Sequence, residues 1–183
     1  LENNAPPDGW PFSDRQYYLR TMLGAADMIR SGATTVWDDL VITPDQNETI
    51  FKAYQQSGMR AVITASMYDR AMPDRNIHIK NQLPNDLLKM LMKEPVFSTE
   101  EWLDIAESLA SKWHNQEGRL VFSSSIAWPQ GASDELIIRA FEFAEKHDLA
   151  FLTHALETKA QQVLGQVFYK QSIIAHLNDL GVL

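Results

Sequence analysis

The sequence predicts an α/β chain, four parallel strand-then-helix units that form part of a (β/α)8 TIM-type barrel, and three observations carry that prediction. Short β-branched or aromatic runs start near residues 33, 60, 119 and 149, and each leads into an amphipathic stretch opened by a capping residue. The starts are spaced as right-handed βαβ units require, about 30 residues apart except where residues 67–97 double the interval. Polar side chains collect where the strands end: Asp38 and Asp39, Ser66 and Asp69, Ser123 to Ser125, His154 and Glu157. A doubly wound open sheet shares this element order, but no Gly-x-Gly-x-x-Gly or Gly-x-x-x-x-Gly-Lys follows any strand, so the usual reason to favour a nucleotide-binding sheet is missing. Barrel enzymes build their sites at strand C-terminal ends, where these polar groups lie.

Taken in order, residues 1–12 hold three of the eight prolines and have no periodicity, as in a loop. Ser13 and Gln16 have capping-box spacing ahead of a helix in which Tyr18, Met22, Ala25, Ala26 and Ile29 recur at helical intervals up to Ser31 and Gly32. Residues 33–38 make the first strand, closed by Asp38 and Asp39. Thr43 and Pro44 start a helix that runs to about Ser57 and Gly58, and residues 60–66 are the second strand. Residues 67–97, with Pro73, Pro84 and Pro95, read as an inserted loop with one short helix at 86–93, and a loop this long is usually functional. Ser98 and Glu101 cap a helix that carries Trp102, Ile105, Leu109 and Trp113 on one face. Residues 119–125 form the third strand, Ser133 opens a helix to about Lys146, and the fourth strand starts at Leu149. Thr158 and Gln161 cap a last helical region that reaches Leu180 with an interruption near Gly165. Residues 1–183 thus make a single partial barrel domain.

Composition narrows the function. A 183-residue chain with 45% hydrophobic and 22% charged residues is ordinary for a globular domain with a sizeable core. Its net charge of −8 and pI near 5.0 oppose a nucleic-acid or anionic-membrane partner and favour a small-molecule substrate. No apolar run reaches the roughly 18 residues of a spanning helix, and the N-terminus lacks a signal-peptide pattern, so a cytoplasmic location is expected. With no cysteines, disulfides and thiolate metal sites are excluded, and any metal is held by histidine and carboxylate. Leu1 in place of Met suggests a processed or partial polypeptide.

The stretch that organises the chemistry is the apolar run from Leu149 that ends on His154, with Glu157 three residues later. An imidazole at a strand's C-terminal end holds a divalent metal, and a carboxylate one loop-step away shuttles protons between water and substrate. A core histidine followed by a helix-start glutamate gives the same spacing.

Several segments together resemble a known family. Residues 28–38 (MIRSGATTVWD), 57–62 (SGMRAV), 154–158 (HALET) and 180–183 (LGVL) look like the amidohydrolase superfamily, most similar to its branch of cytosine, guanine and adenosine-derivative deaminases and triazine hydrolases. The resemblance covers nearly the whole chain from about Asp14 and implies barrel strands two to five. It implies that His154 ends the fifth strand as a ligand to one divalent metal, zinc first and iron second, and that Glu157 moves protons during hydrolysis. The family's His-x-His after the first strand, its histidine after the sixth and its aspartate after the eighth have no counterparts in this chain. Nucleoside deaminases of the branch carry Pro-His-Ala after strand four; Ala127 stands in place of that histidine, which speaks against a purine-nucleoside substrate.

The function expected is therefore metal-dependent hydrolysis at a C–N or C–halogen carbon of a small cyclic or amide substrate, in a homo-oligomer or a longer polypeptide. The alternative is a non-catalytic barrel segment with a role in binding or assembly. Trp128 is a candidate aromatic pocket wall, or a residue that packs the insertion onto the barrel, and Ser125 is a candidate substrate contact. His78 lies in the insertion with Arg70, Arg75 and Lys80, facing substrate or solvent. His114 and His147 fall at helix C-termini, where a structural role is expected, and His176 is expected at a surface or interface. Asp38 and Asp39 are expected to support the site or merely meet water.

Overall fold

The computed structural model describes residues 13–39, 44–92 and 97–183, the side chains of residues 44–47, 78 and 79 apart. The loop expected over residues 1–12 and the helix-start threonine at position 43 lie outside the described residues, as do residues 93–96.

Four parallel strands lie in sequence order: β1 (Thr35–Asp38), β2 (Arg60–Met67), β3 (Leu120–Ile126) and β4 (Phe151–Thr153). The register pairs Trp37 with Val62, Ile63 with Phe122, Ser66 with Ser125 and Ser125 with Leu152. Because side chains alternate across a pleated sheet, this register sorts the strands into two faces. Ala61, Ile63, Ala65 and Met67 of β2 join Leu120, Phe122 and Ile126 of β3 in the buried core under the helices. The opposite parity puts Trp37, Val62, Thr64, Ser66, Ser123, Ser125 and Leu152 on the concave face of a half-barrel. The next positions of that parity past β1 and β4 are Asp39 and His154, so alternation alone delivers both to the concave rim.

Helices cover the convex side. α1 (Asp14–Arg30) opens on a complete Ser13–Gln16 capping box and packs on α2 (Pro44–Ser57). Its buried stripe is Tyr17, Thr21 and Ala25, with Met28 partly covered, whereas Ala26 and Ile29 are exposed. Of the expected stripe of Tyr18, Met22, Ala25, Ala26 and Ile29, Ala25 is buried, Tyr18 and Met22 lie at the margin, and the buried face is centred about one residue earlier on Tyr17 and Thr21. Apolar periodicity ranks Thr21 as polar, but its methyl packs as well as an alanine's, and the seat on α2 selects the face.

Among the described residues the region 67–97 holds three short helices, α3 (Met72–Arg75), α4 (Ile77–Lys80) and α5 (Asn85–Leu91), where one was expected. It is pinned over the C-terminal ends of β2 and β3. The Asp69 and Arg70 amides donate to Gly131 O, Ser133 N and Oγ donate to the Asp69 carboxylate at 2.7 and 2.5 Å, and Arg70 donates to Gln130 O. α6 (Thr99–Trp113) begins at a Ser98–Glu101 capping box and buries Trp102, Ala106, Leu109 and Trp113; Ile105 sits at the margin. Phe51 stacks on Trp113 at 5.2 Å, and the Trp102 indole donates to Tyr68 O at 2.7 Å, so α6 grips both the sheet layer and the insertion.

A 3-10 turn (Pro129–Gly131) leads through the Ser133 cap into α7 (Asp134–Lys146). The last helical region is split into α8 (Lys159–Tyr169) and α9 (Ile173–Asp179), but the break is at Lys170, which takes a left-handed φ of 59°, and not at Gly165. Gly165 lies inside α8, where a Cβ would meet Gln171 O and Ile173 N at 3.1 Å. Its missing side chain lets α9 fold back on α8.

β1 and β4 are the sheet's outer strands among the described residues. Trp37 of β1 is 45% exposed and Val36, Val62 and Phe151 are half-buried, whereas Ile63 and Phe122 are fully buried on the helix side.

Candidate active site

At the concave rim Asp39 and His154 meet. His154 Nε2 lies 2.7 Å from Asp39 Oδ2, with the Asp39 side chain 8% exposed and that of His154 44% exposed. The other carboxylate oxygen, Asp39 Oδ1, accepts hydrogen bonds from Thr64 Oγ1 and, at 3.0 Å, from Ser66 Oγ. Those hydroxyls point at Asp39 because both belong to the concave parity of β2. Asp39 is therefore built into the site, in place of the solvated carboxylate that an exposed barrel rim would have. Its neighbour Asp38 falls on the other parity and receives the Tyr54 hydroxyl at 2.8 Å from α2. Burial raises the Asp38 pKa above 3.8 despite that hydrogen bond, and burial and the adjacent carboxylate raise that of Tyr54.

His154 follows β4 directly, and the chain then turns through Leu156, whose φ of 59° is unusual for a branched residue. Gln161 holds this turn from beneath. Its Oε1 accepts from the Glu157 amide at 2.6 Å and its Nε2 donates to His154 O at 2.8 Å, with Gln130 Oε1 at 3.5 Å. Thr158 caps α8 as its sequence suggests, accepting from the Gln161 amide. The Gln161 side chain, however, reaches the amide before the cap residue, so a residue that reads as one half of a capping box is the brace of the site loop.

Glu157 presents its carboxylate to Trp128, whose Nε1 donates to Oε2 at 3.2 Å. The Trp128 ring in turn lies under the Arg75 guanidinium, 5.5 Å from ring centroid to Cζ, and Arg75 also covers Tyr68 at 4.6 Å. Trp128 thus packs against Arg75 of the insertion, as one of its two expected readings had it, while its N–H reaches the Glu157 carboxylate. Ser125 is fully buried on the concave face with its Oγ unbonded. His78 lies on α4, and its side chain is outside the described residues.

The remaining histidines are tied down elsewhere. His114 and His147 end α6 and α7; His114 Nδ1 is 3.4 Å from Phe122 O, and His147 Nε2 is 3.1 Å from Glu107. His176, expected at a surface or interface, is partly covered: its Nε2 meets Asp134 of α7 at 2.8 Å and its ring stacks on Tyr169 at 3.8 Å. Burial in this cluster pushes the Tyr169 hydroxyl up to about 12.

Among the described residues no three His, Cys, Asp or Glu side chains converge as a metal cluster. An imidazole nitrogen next to a buried carboxylate oxygen is nevertheless the nitrogen-and-oxygen donor set that a borderline divalent ion such as zinc accepts. The residues present fit a metal as part of a ligand set.

Comparison with known proteins identifies the fold and the family. A 5-methylthioadenosine/S-adenosylhomocysteine deaminase of Syntrophobacter fumaroxidans is 28% identical over 168 residues, covering 91% of this chain and 32% of that enzyme. The fold superposes on an adenosine deaminase of Xanthomonas campestris with bound zinc (TM-score 0.73, 20% identity, 94% of this chain and 33% of that one). It also superposes on a variant of the atrazine chlorohydrolase of Arthrobacter aurescens complexed with zinc and atraton (TM-score 0.76, 15% identity, 93% and 36%). The chain spans about a third of the length of each. No helix among the described residues is long and apolar enough to cross a membrane. A sequence profile of the amidohydrolase family matches residues 2–180, and the chain belongs to that family.

Proposed function

We propose that this chain supplies the His154 and Glu157 portion of a metal-dependent hydrolase that attacks a C–N or C–halogen carbon of a small cyclic substrate. The observation that supports it is the rim itself: strand parity puts His154 beside a buried carboxylate, and the brace from Gln161 sets Glu157 one turn further along the same loop. Bound there, zinc, or iron in its place, would supply Lewis acidity and lower the pKa of a coordinated water.

The chain's own groups do the rest. His154 holds the ion through a ring nitrogen. Glu157 takes the proton of the attacking water and hands it to the departing amine as the tetrahedral carbon collapses; halide departs without it. The Trp128 N–H engages Oε2 of Glu157 and leaves Oε1 free for the water. The Trp128 face, Ser125 and His78 are the candidate substrate contacts, with Trp128 suited to a flat heterocycle. The substrates in a relative's name, 5-methylthioadenosine and S-adenosylhomocysteine, are assayed first; guanine and atrazine are assayed beside them, because Ala127 speaks against a purine nucleoside.

The test is Glu157→Gln in the full-length protein. We expect kcat on whichever of these substrates turns over to fall about 100-fold or more, with metal content unchanged. Near-normal kcat would remove Glu157 from the proton path.

A further inference from the structure

Arg75 is a cation largely shut away from water: it ends α3 and is 8% exposed. None of the ion pairs among the described residues includes it. Its guanidinium lies over two rings instead, with Cζ 4.6 Å from the Tyr68 centroid and 5.5 Å from that of Trp128. The surroundings hold it there. Asn76 donates to Met72 O at 3.0 Å and closes α3 next to the arginine, and Trp102 holds Tyr68 through its backbone carbonyl at 2.7 Å. Gly131 faces the arginine's stem, where a Cβ would stand 3.5 Å from Arg75 Cδ. Trp128, the second ring, gives its N–H to Glu157 Oε2 at 3.2 Å, so a column of contacts runs from the insertion to that carboxylate.

A buried cation is costly unless its charge is met. Two ring faces meet part of it, and a cation on an indole face draws electron density away from the N–H and strengthens it as a donor. Packing alone would be served by an uncharged side chain of similar length, such as methionine, without the cost of burying charge. We propose that Arg75 is a positioning residue for Glu157 that acts through the Trp128 indole, so that the insertion supplies the charge that fixes the carboxylate's orientation. The inference rests on the Glu157 reading above and extends it to a residue outside the site loop.

The test reads the hydrogen bond itself, by NMR of the full-length protein labelled at the tryptophan indole nitrogen. The Trp128 N–H peak is assigned by its loss in Trp128→Phe, and it should move upfield in Glu157→Gln, which lacks the charged acceptor. Arg75→Met should move the same peak in the same direction and lower kcat about fivefold with KM little changed. Arg75→Lys keeps a cation and should fall between wild type and Arg75→Met in both readouts. In the Trp128→Phe background Arg75→Met should cost no further kcat. Should Arg75→Met fail to fold, Arg75→Gln keeps a planar head without the charge, and the same peak shift is expected. A peak that stays in place in the uncharged variants overturns the proposal: with kcat unchanged Arg75 only packs, and with KM raised it meets substrate. Near-normal kcat in Glu157→Gln together with a moved peak in Arg75→Met removes Glu157 from the proton path and leaves the arginine's hold on the carboxylate standing.

Discussion

The indole N–H of Trp128 donates to Oε2 of Glu157 at 3.2 Å, so the residue that closes the third βα connection positions the carboxylate that ends the fourth. Its ring is simultaneously covered by Arg75 of the insertion. Trp128→Phe preserves the ring for Arg75 and removes only the donor. If Trp128 acts through Glu157, kcat falls about tenfold, the size of one hydrogen bond to a charged group, while KM is little changed. In the Glu157→Gln background the same substitution then costs nothing further. A rise in KM with additive losses would instead make Trp128 a substrate wall.

Gln161 bonds to both ends of the loop that carries His154 and Glu157, accepting from one amide and donating to one carbonyl. Gln161→Ala removes both hydrogen bonds from a turn already strained at Leu156. We expect a stability loss of about 1–3 kcal/mol in urea unfolding, together with faster amide exchange of Glu157 than of α8. Exchange unchanged at Glu157 would show that the turn holds itself.

The elements were legible because their signals are local. Ser13, Ser98, Ser133 and Thr158 each cap the helix their spacing announces, and each strand ends within a residue or two of its expected limit. The placement of His154 just past the end of β4 was legible for the same reason, at the close of a short strand-forming run. Asp39 was visible only as one of two adjacent carboxylates; its role depends on the β1–β2 register, which decides that it, and not Asp38, faces Thr64 and Ser66. Gln161 was hidden because helix-start glutamines usually serve the cap. The Trp128–Glu157 bond spans 29 residues and three elements, and no local pattern encodes it.

Asp38, turned away from the site, gives a pH signature of its own. Burial raises its native pKa above the ordinary 3.8, so between these values the native state keeps a proton that the unfolded chain has released. Stability from this group is therefore full below pH 3.8 and declines as pH rises through the native pKa. Asp38→Asn keeps an acceptor for the Tyr54 hydroxyl and removes the titration. Urea midpoints should show the mutant gaining on wild type as pH rises from about 4 and levelling off above the native pKa. A constant difference across that range would mean that Asp38 titrates normally.

The sheet itself sets the last expectation. β1 is bonded to β2 and β4 to β3, and among the described residues neither has a partner on its other side. Strand edges of this kind recruit other strands, and a half-barrel also leaves apolar surface that a closed barrel would cover. Trp37 at 45% exposure lies on the concave side, and Val163 and Val167 of α8 are exposed as well. At about 25 cal/mol per Å², a few hundred Å² of uncovered apolar area is comparable to the ~5–15 kcal/mol by which a domain is stable. The isolated 183-residue chain should therefore sediment as a dimer or larger species, and Trp37→Lys combined with Val163→Lys should shift it toward monomer. A compact wild-type monomer in sedimentation velocity, unfolding cooperatively, would show that the two edges and the concave face are satisfied within a single copy.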